Sequence, residues 1–307
     1  MSEVRIRPRQ VLVLIIVFIV ILLMVHRNGQ RICQGPEYLQ AMYSKAQADT
    51  LPKIFAITPT YARPAQKAEL TRLSHLFMLV PNLHWIIVED SNVTTKLVQN
   101  LLIRAGLQNR STQLNIKTTA EFKLQSKDPN WIKPRGVEQR NLALAWLRSH
   151  ASPDRHAIVF FMDDDNSYSV ELFAEMAKIQ PGRVGIWPVG LVGGLMVERP
   201  LLNGDNKVVG FNAAWRPERP FPLDMAAFGI SIDLFFKYPQ AIFSYKVQRG
   251  YQESEILRYL TTRDQLQTLA NNCRDVLVWH TRTEKTKLNS EEALQRQNKR
   301  SDEGIEV

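Results

Sequence analysis

The sequence predicts an α/β fold with a mostly parallel central sheet and helices on both faces, preceded by an N-terminal signal-anchor helix. Three observations predict it. From Lys53 to residue 165, apolar runs of five or six residues alternate with segments of helical periodicity, the pattern of consecutive β-α-β units. Near the N-terminus, Val11 to Val25 (VLVLIIVFIVILLMV) contains no charge, no glycine and no polar side chain. The chain of 307 residues, 45% apolar and 22% charged, is long enough to bury a full-sized core.

Fifteen helical residues span about 22 Å, short of a typical hydrocarbon core of ~30 Å. Pro8, Gln10 and snorkelling Arg9 and Arg27 extend the span, and thinner membranes tolerate a shorter one. A cleaved signal peptide needs small residues after the apolar run, where the chain reads His26-Arg27-Asn28-Gly29-Gln30-Arg31. A core helix needs a polar face, and there is none. The run therefore reads as a signal anchor. Arg5, Arg7 and Arg9, opposed only by Glu3, keep the N-terminus cytoplasmic. Residues 1–10 become a cytoplasmic tail, 11–26 the span, 27–52 a polar stem and 53–307 a lumenal domain, divided near 165/166. Two sequons, at Asn92 and Asn109, suit that compartment. Cys33, in the stem, can pair within the chain or with its twin in a dimer; Cys273 reads as a buried free thiol.

In the lumenal part, Lys53–Thr58 (KIFAIT) is a buried strand ending at Pro59, and residues 65–79 form a helix on Leu70, Leu73, Leu76 and Phe77. His84–Val88 is the next strand and closes on Glu89-Asp90. A helix over 95–105 stops at Gly106, another covers 138–150, and the strand Ala157–Met162 runs into Asp163-Asp164-Asp165. Beyond residue 183 short strands at 184–188, 194–198 and 276–279 accompany helical segments at 252–260 and 264–271, with both halves sharing one sheet.

The chemistry gathers at strand ends, where open α/β sheets bind ligands. Three adjacent carboxylates repel one another, and a divalent cation relieves that repulsion; hard oxygen ligands suit Mg²⁺ or Mn²⁺. A solvated acidic turn leading into a helix near Ser169 is the plainer alternative. Thr58–Arg63 follows the first strand and Asp90 ends the second: Tyr61 could stack on a base and Asp90 accept from its N–H, although both are also ordinary turn residues. Arg135 and Arg140 flank a helix start, where cations gain nothing from the dipole and an anionic ligand explains them better. Glu253 and Glu255 are equally acidic and both lie at a helix N-terminus. His280 and Arg282 form a strand-end pair suited to a diphosphate. The net charge of +9 is scattered, without the aromatic-rich basic strip that nucleic-acid binding requires, and fits a small anionic substrate. Trp85, Trp131, Trp146 and Trp279 read as packing residues, as do His75, His84, His150 and His156.

TPTYAR (58–63), LHWIIVED (83–90), PRGVEQRN (134–141), DDDN (163–166), WPVGLVGGL (187–195), RPFPLDMA (219–226) and VWHTRTEK (278–285) together resemble the animal β-1,3-glucuronyltransferases, in one order across residues 53–287. The resemblance implies a Rossmann-like GT-A glycosyltransferase fold on a single-pass type II anchor in the Golgi membrane. It divides residues 53–165 and 166–307 into nucleotide-binding and acceptor-binding halves. It implies that Asp165 holds Mn²⁺ directly, with Asp163 and Asp164 at the nucleotide. Pro59, Tyr61, Asp90 and Arg135 would face the uridine of UDP-glucuronate; Arg140, Asn166, Asp224, His280 and Arg282 would surround its diphosphate and glucuronate. Glu198, Trp215 and Arg219 would meet the acceptor sugar, and Glu253 would be the general base of an inverting transfer.

The tail Glu291–Val307 resembles members that add glucuronate to the outer galactose of the Gal-Gal-xylose primer on proteoglycan core proteins. Other members act on N-acetyllactosamine ends, making the precursor of the HNK-1 epitope. A catalytically inactive lumenal glycan-binding protein is the reading from another class. In the family the tail reaches across a homodimer to the partner's acceptor site. Two departures stand out: Asn289-Ser290 replaces a larger amide side chain, and Asn272-Cys273-Arg274 is not a sequon.

Overall fold

The computed structural model describes residues 51–124, 128, 132–284 and 286–307. The expected cytoplasmic tail, signal anchor, nearly all of the stem, Cys33 and Trp131 lie outside the described residues. No described helix is long and apolar enough to cross a membrane.

Strand β1 (Lys53–Thr60) leads through α1 (Gln66–Met78) to β2 (Leu83–Glu89), then α2 (Lys96–Arg104) and β3 (Ser111–Asn115), and through α3 (Val137–His150) to β4 (Ala157–Phe161). These four strands pair in parallel in the order β3-β2-β1-β4. β1, β2 and β4 are buried almost throughout, as strands covered by helices on both faces must be. The chain moves one way from β1 to β2 and the other way to β4. The crevice beyond the carboxyl ends of β1 and β4 is therefore a topological switch point.

The second half contributes β5 (Ser167–Tyr168), α4 (Glu171–Met176), β6 (Val184–Ile186), β7 (Val189–Gly190), β8 (Val197–Leu202), β9 (Val208–Asn212), β10 (Phe228–Ser231), α5 (Asp233–Lys237), α6 (Gln252–Leu260), β11 (Gln267–Thr268), α7 (Ala270–Cys273), β12 (Val278–Trp279) and α8 (Asn289–Gln295). Only part of it shares the first sheet. β10 joins β4 antiparallel, and β6 and β11 complete a seven-stranded sheet. The remaining strands form a second sheet in the order β5-β12-β7-β8-β9. The single shared sheet expected from sequence is thus two.

The expected helix over 264–271 is also absent. Its place is taken by a 3-10 turn, β11 and α7, where Ala270, Asn271, Asn272 and Cys273 all have positive φ of 53–56°. Leu266, Leu269, Ala270 and Cys273 are buried at helix-like spacing without forming a right-handed helix. Cys273 is a buried free thiol, and burial pushes it up to about 12.

Aromatic side chains set the core. Trp85 packs edge-on against Phe77 at 4.7 Å and donates from Nε1 to Thr58 Oγ1, and Phe161 meets Phe243 at 4.9 Å. Trp146 packs between His84 and His150. The pair closing β2 splits between the strand's two sides. Glu89 turns inward and accepts from the Thr95 amide and hydroxyl and from Gln113, which anchors the N-cap of α2, while Asp90 points to the crevice side. α8 buries no residue against its own chain. The last residues return to α1 and α2, where the Glu306 carboxylate accepts from Asn100 at 2.7 Å and Arg104 at 3.2 Å and pairs with Lys67 at 3.5 Å.

Candidate active site

The aspartate triplet follows β4 because five buried apolar residues cannot themselves carry charge. Its turn is held from three other elements. Tyr168 of β5 donates to the Asp163 carbonyl at 3.0 Å, Arg72 of α1 to the carbonyls of Asp164 and Asn166 at 3.2 and 3.1 Å, and Thr281 after β12 to that of Asp165 at 2.6 Å. Distant donors on successive carbonyls leave this backbone no room to drift.

The three carboxylates have different partners. Asp163 pairs with Arg140 Nη2 at 2.6 Å. Asp164 turns inward, where Thr60 Oγ1 donates to one oxygen at 2.7 Å and Arg63 meets the other at 2.7 Å; Arg63 also binds Glu69. Asp165 receives no hydrogen bond on its carboxylate from any described residue. Burial, then Asp163 and Asp164, push its pKa above the ordinary range, with His280 and Arg135 opposing. A carboxylate crowded by two others and lacking a donor fits a divalent cation. No group of three or more His, Cys, Asp or Glu among the described residues could hold a metal. A cation at Asp165 would therefore draw its other oxygens from its ligand and water. Asn166 adds to this picture: it is buried, and both side-chain polar atoms lack a hydrogen-bond partner in the described protein.

Across the crevice, Tyr61 is 45% exposed with Arg63 over its ring at 4.6 Å. Asp90 donates its amide to Thr60 O at 2.8 Å and accepts on both carboxylate oxygens from Thr118. Gly136 caps α3 at φ +71°, and a Cβ there would meet Arg140 Nη1 at 2.8 Å and Pro59 at 3.2 Å. Glycine is thus required where Pro59, Arg135 and Arg140 converge. Arg135 is exposed, and its carbonyl accepts from Arg140 at 2.9 Å.

The opposite wall comes from the second half. β12 places His280 Nδ1 2.9 Å from Asp224 Oδ2. Asp224 raises the pKa of His280 against desolvation. Burial would raise that of Asp224, but His280, the Ala226 amide and Arg219 together bring it below the ordinary value. Arg282 Nε lies 3.4 Å from His280 Nε2. Glu253, in the first turn of α6, is 3.6 Å from Arg219 Nη1, its side chain 17% exposed. Burial pushes it up to about 7, opposed by Arg219. Glu255 points away, tied to Arg258 at 2.7 Å. The fold thus separates two acids that the sequence left equivalent.

Arg219 spends its donors on the carbonyls of Trp215, Arg216 and Gly250, bracing the loop that presents Trp215, 43% exposed. Glu198 is buried, which raises its pKa, although Oε1 accepts from the Ala214 amide at 3.0 Å. A Cβ on Gly193, at φ +62°, would fall on that same oxygen.

Asn92 and Asn109 are exposed, in the turn after β2 and the 3-10 helix before β3. Sequence reasoning did not single out Thr60, Arg63, Arg72 or Thr281, which shape the triplet. Arg63 and Thr60 lie in the matched TPTYAR segment, whereas nothing in the sequence marks Arg72 among ordinary helix-surface arginines.

The glycosyltransferase family 43 pattern matches residues 73–284. The chain is 79% identical over its full length, and that of the relative, to galactosylgalactosylxylosylprotein 3-beta-glucuronosyltransferase I of Drosophila melanogaster. It is 49% identical to galactosylgalactosylxylosylprotein 3-beta-glucuronosyltransferase sqv-8 of Caenorhabditis elegans, over 81% of this chain and 69% of that one. It is 48% identical to galactosylgalactosylxylosylprotein 3-beta-glucuronosyltransferase 3 of Homo sapiens, over 85% and 79%. Among solved structures, the mannosyltransferase PcManGT from Pyrobaculum calidifontis is a distant likeness, at a TM-score of 0.44 and 13% identity over 80% of this chain and 61% of that one. With its fold, its strand-end site and relatives of this identity over most of its length, the chain belongs to glycosyltransferase family 43.

Proposed function

We propose that this chain transfers glucuronate from UDP-glucuronate, in β-1,3 linkage, to the terminal galactose of the Gal-Gal-xylose primer on proteoglycan core proteins. The acceptor is supported by the names shared by its relatives at 79% and about 49% identity. For the chemistry, the carrying observation is Glu253: a largely buried carboxyl beside Arg219, within electrostatic reach of Asp224 and of the Arg140 that pairs with Asp163.

A sugar hydroxyl is a weak nucleophile. The Glu253 carboxylate takes the proton of the acceptor's O3 as that oxygen bonds to the anomeric carbon, and the electrons of the breaking C–O bond leave with UDP. One base and no covalent intermediate invert the α-linked donor into a β-linked product. Arg140, His280 and Arg282 hold the anionic diphosphate and glucuronate, aided by the Asp224 partner that favours the charged form of His280. Asp165 would hold Mn²⁺, which when bound neutralises charge on the departing diphosphate. Tyr61 and Asp90 receive the uracil, and Trp215 and Glu198 the acceptor sugar. The chain acts as a homodimer anchored through residues 11–26 in the Golgi membrane, its domain lumenal; α8, burying nothing on its own chain, suits a dimer arm.

The test offers UDP-glucuronate, Mn²⁺ and either a Gal-Gal-xyloside or N-acetyllactosamine to the purified protein, with product linkage read by NMR. Transfer to the xyloside with inversion is expected. Transfer to N-acetyllactosamine alone would overturn the acceptor assignment, and bound UDP without transfer to either would favour a glycan-binding protein.

A further inference from the structure

Thr118 lies on the loop after β3 and is 9% exposed. Its two donors end on one side chain: the amide reaches Asp90 Oδ1 at 2.7 Å and the hydroxyl reaches Asp90 Oδ2 at 2.9 Å. The hydroxyl accepts in turn from Gln139 Nε2 at 3.2 Å, and the same nitrogen donates to the Ile116 carbonyl at 2.9 Å. Gln139 is 1% exposed in α3. A buried relay therefore runs from a helix through a loop threonine to a strand-end carboxylate on the rim of the crevice.

Separate donors on the two oxygens fix both torsions of the Asp90 side chain, yet each oxygen keeps a lone pair for a ligand. Uracil presents an N3–H donor on its pairing edge, whereas cytosine presents a bare N3 acceptor in the same place. A carboxylate held in one orientation attracts the first and repels the second. We infer that Thr118 is a positioning residue that, through Asp90, sets the preference for uracil over cytosine in the nucleotide. This rests on the reading of Asp90 as the base contact.

The experiment titrates the full chain, with Mn²⁺ present, with UDP and with CDP, and measures KM and kcat for the donor sugar. Thr118→Val should weaken UDP about ten-fold, the usual size of one lost hydrogen bond to a charged group. CDP should weaken far less, so the UDP-to-CDP ratio falls while kcat stays within about two-fold. Thr118→Ser, which keeps the hydroxyl, should restore the ratio. Thr118→Ala is the second hydroxyl-free variant should valine prevent folding. A hydroxyl-free variant with unchanged melting temperature and an unchanged ratio would overturn the inference. So would Val and Ser variants equally impaired, which marks a purely structural role. Asp90→Asn separates the layers. If it collapses the ratio and Thr118→Val does not, only Thr118 is misassigned; if it leaves the ratio intact, the base contact and this inference fall together.

Discussion

Replacing Glu253 by Gln should lower activity and raise stability, and the second effect should depend on pH. Burial holds this carboxyl at about 7 in the fold, against an ordinary 4.5. That gap corresponds to at most about 3 kcal/mol. The folded-state value is the higher one, so the folded protein retains a proton that the unfolded chain releases. Relative stability is complete below about pH 4.5 and is lost as pH rises toward 7, where the buried group ionises. Glutamine carries no such cost. Arg219 is not stranded by the change, because the carbonyls of Trp215, Arg216 and Gly250 still bind it. The variant should match the parent near pH 4.5 and exceed it above pH 7 by up to about 3 kcal/mol, or roughly 6–12 °C in melting temperature. Its kcat should fall by about 10²–10⁴ with UDP affinity preserved. In the parent, kcat/KM should rise with pH and reach half its limit near 7, a limb the variant lacks. Calorimetric melting and initial rates from pH 4.5 to 8 measure both. Near-normal kcat, or a stability difference identical at the two ends, would refute the reasoning.

Glu255→Gln is the matched control: that acid is tied up by Arg258 and Tyr259, so kcat and its pH dependence should stay within about two-fold, and a loss comparable to Glu253→Gln would reverse the assignment. Chelation should abolish transfer and added Mn²⁺ restore it, while Asp165→Asn should weaken Mn²⁺-dependent UDP binding measured by calorimetry; binding indifferent to both would remove the cation from Asp165. Asn271→Gly should relieve a left-handed residue at φ 55°, exposed and donating at 3.3 Å to Asp275, and raise stability by about 0.5–1 kcal/mol; a lower melting temperature would show that this contact outweighs the strain.

The β-α-β half was legible because each element is long enough to show its period. The helix expected over 65–79 is Gln66–Met78 and the strand expected over 84–88 is Leu83–Glu89. The second sheet was not, because β5, β7 and β12 are two residues each and exist only through pairing with distant chain. No alternation can be read in two residues. Between 264 and 273 the apolar pattern misled. Leu266, Leu269, Ala270 and Cys273 fall at helical spacing, but that spacing arises from a strand followed by a left-handed turn that bury the same side chains.

The choice between Glu253 and Glu255 was legible in principle. Ile256, Leu257 and Leu260 lie three, four and seven residues after Glu253, the positions that share one helical face with it. All three are buried. Glu255 is about 200° around the helix from Glu253 at 100° per residue, which sends it away from that face to Arg258 and Tyr259. An acid on the apolar stripe is costly unless burial serves a purpose, and a carboxyl near 7 that still reaches the cleft is such a purpose. The same residues that anchor α6 to the core therefore desolvate its first-turn acid, and packing and basicity at Glu253 have a single cause. Substituting Leu257 by a smaller residue should loosen both together, lowering the acid limb of the pH profile as water reaches the carboxyl.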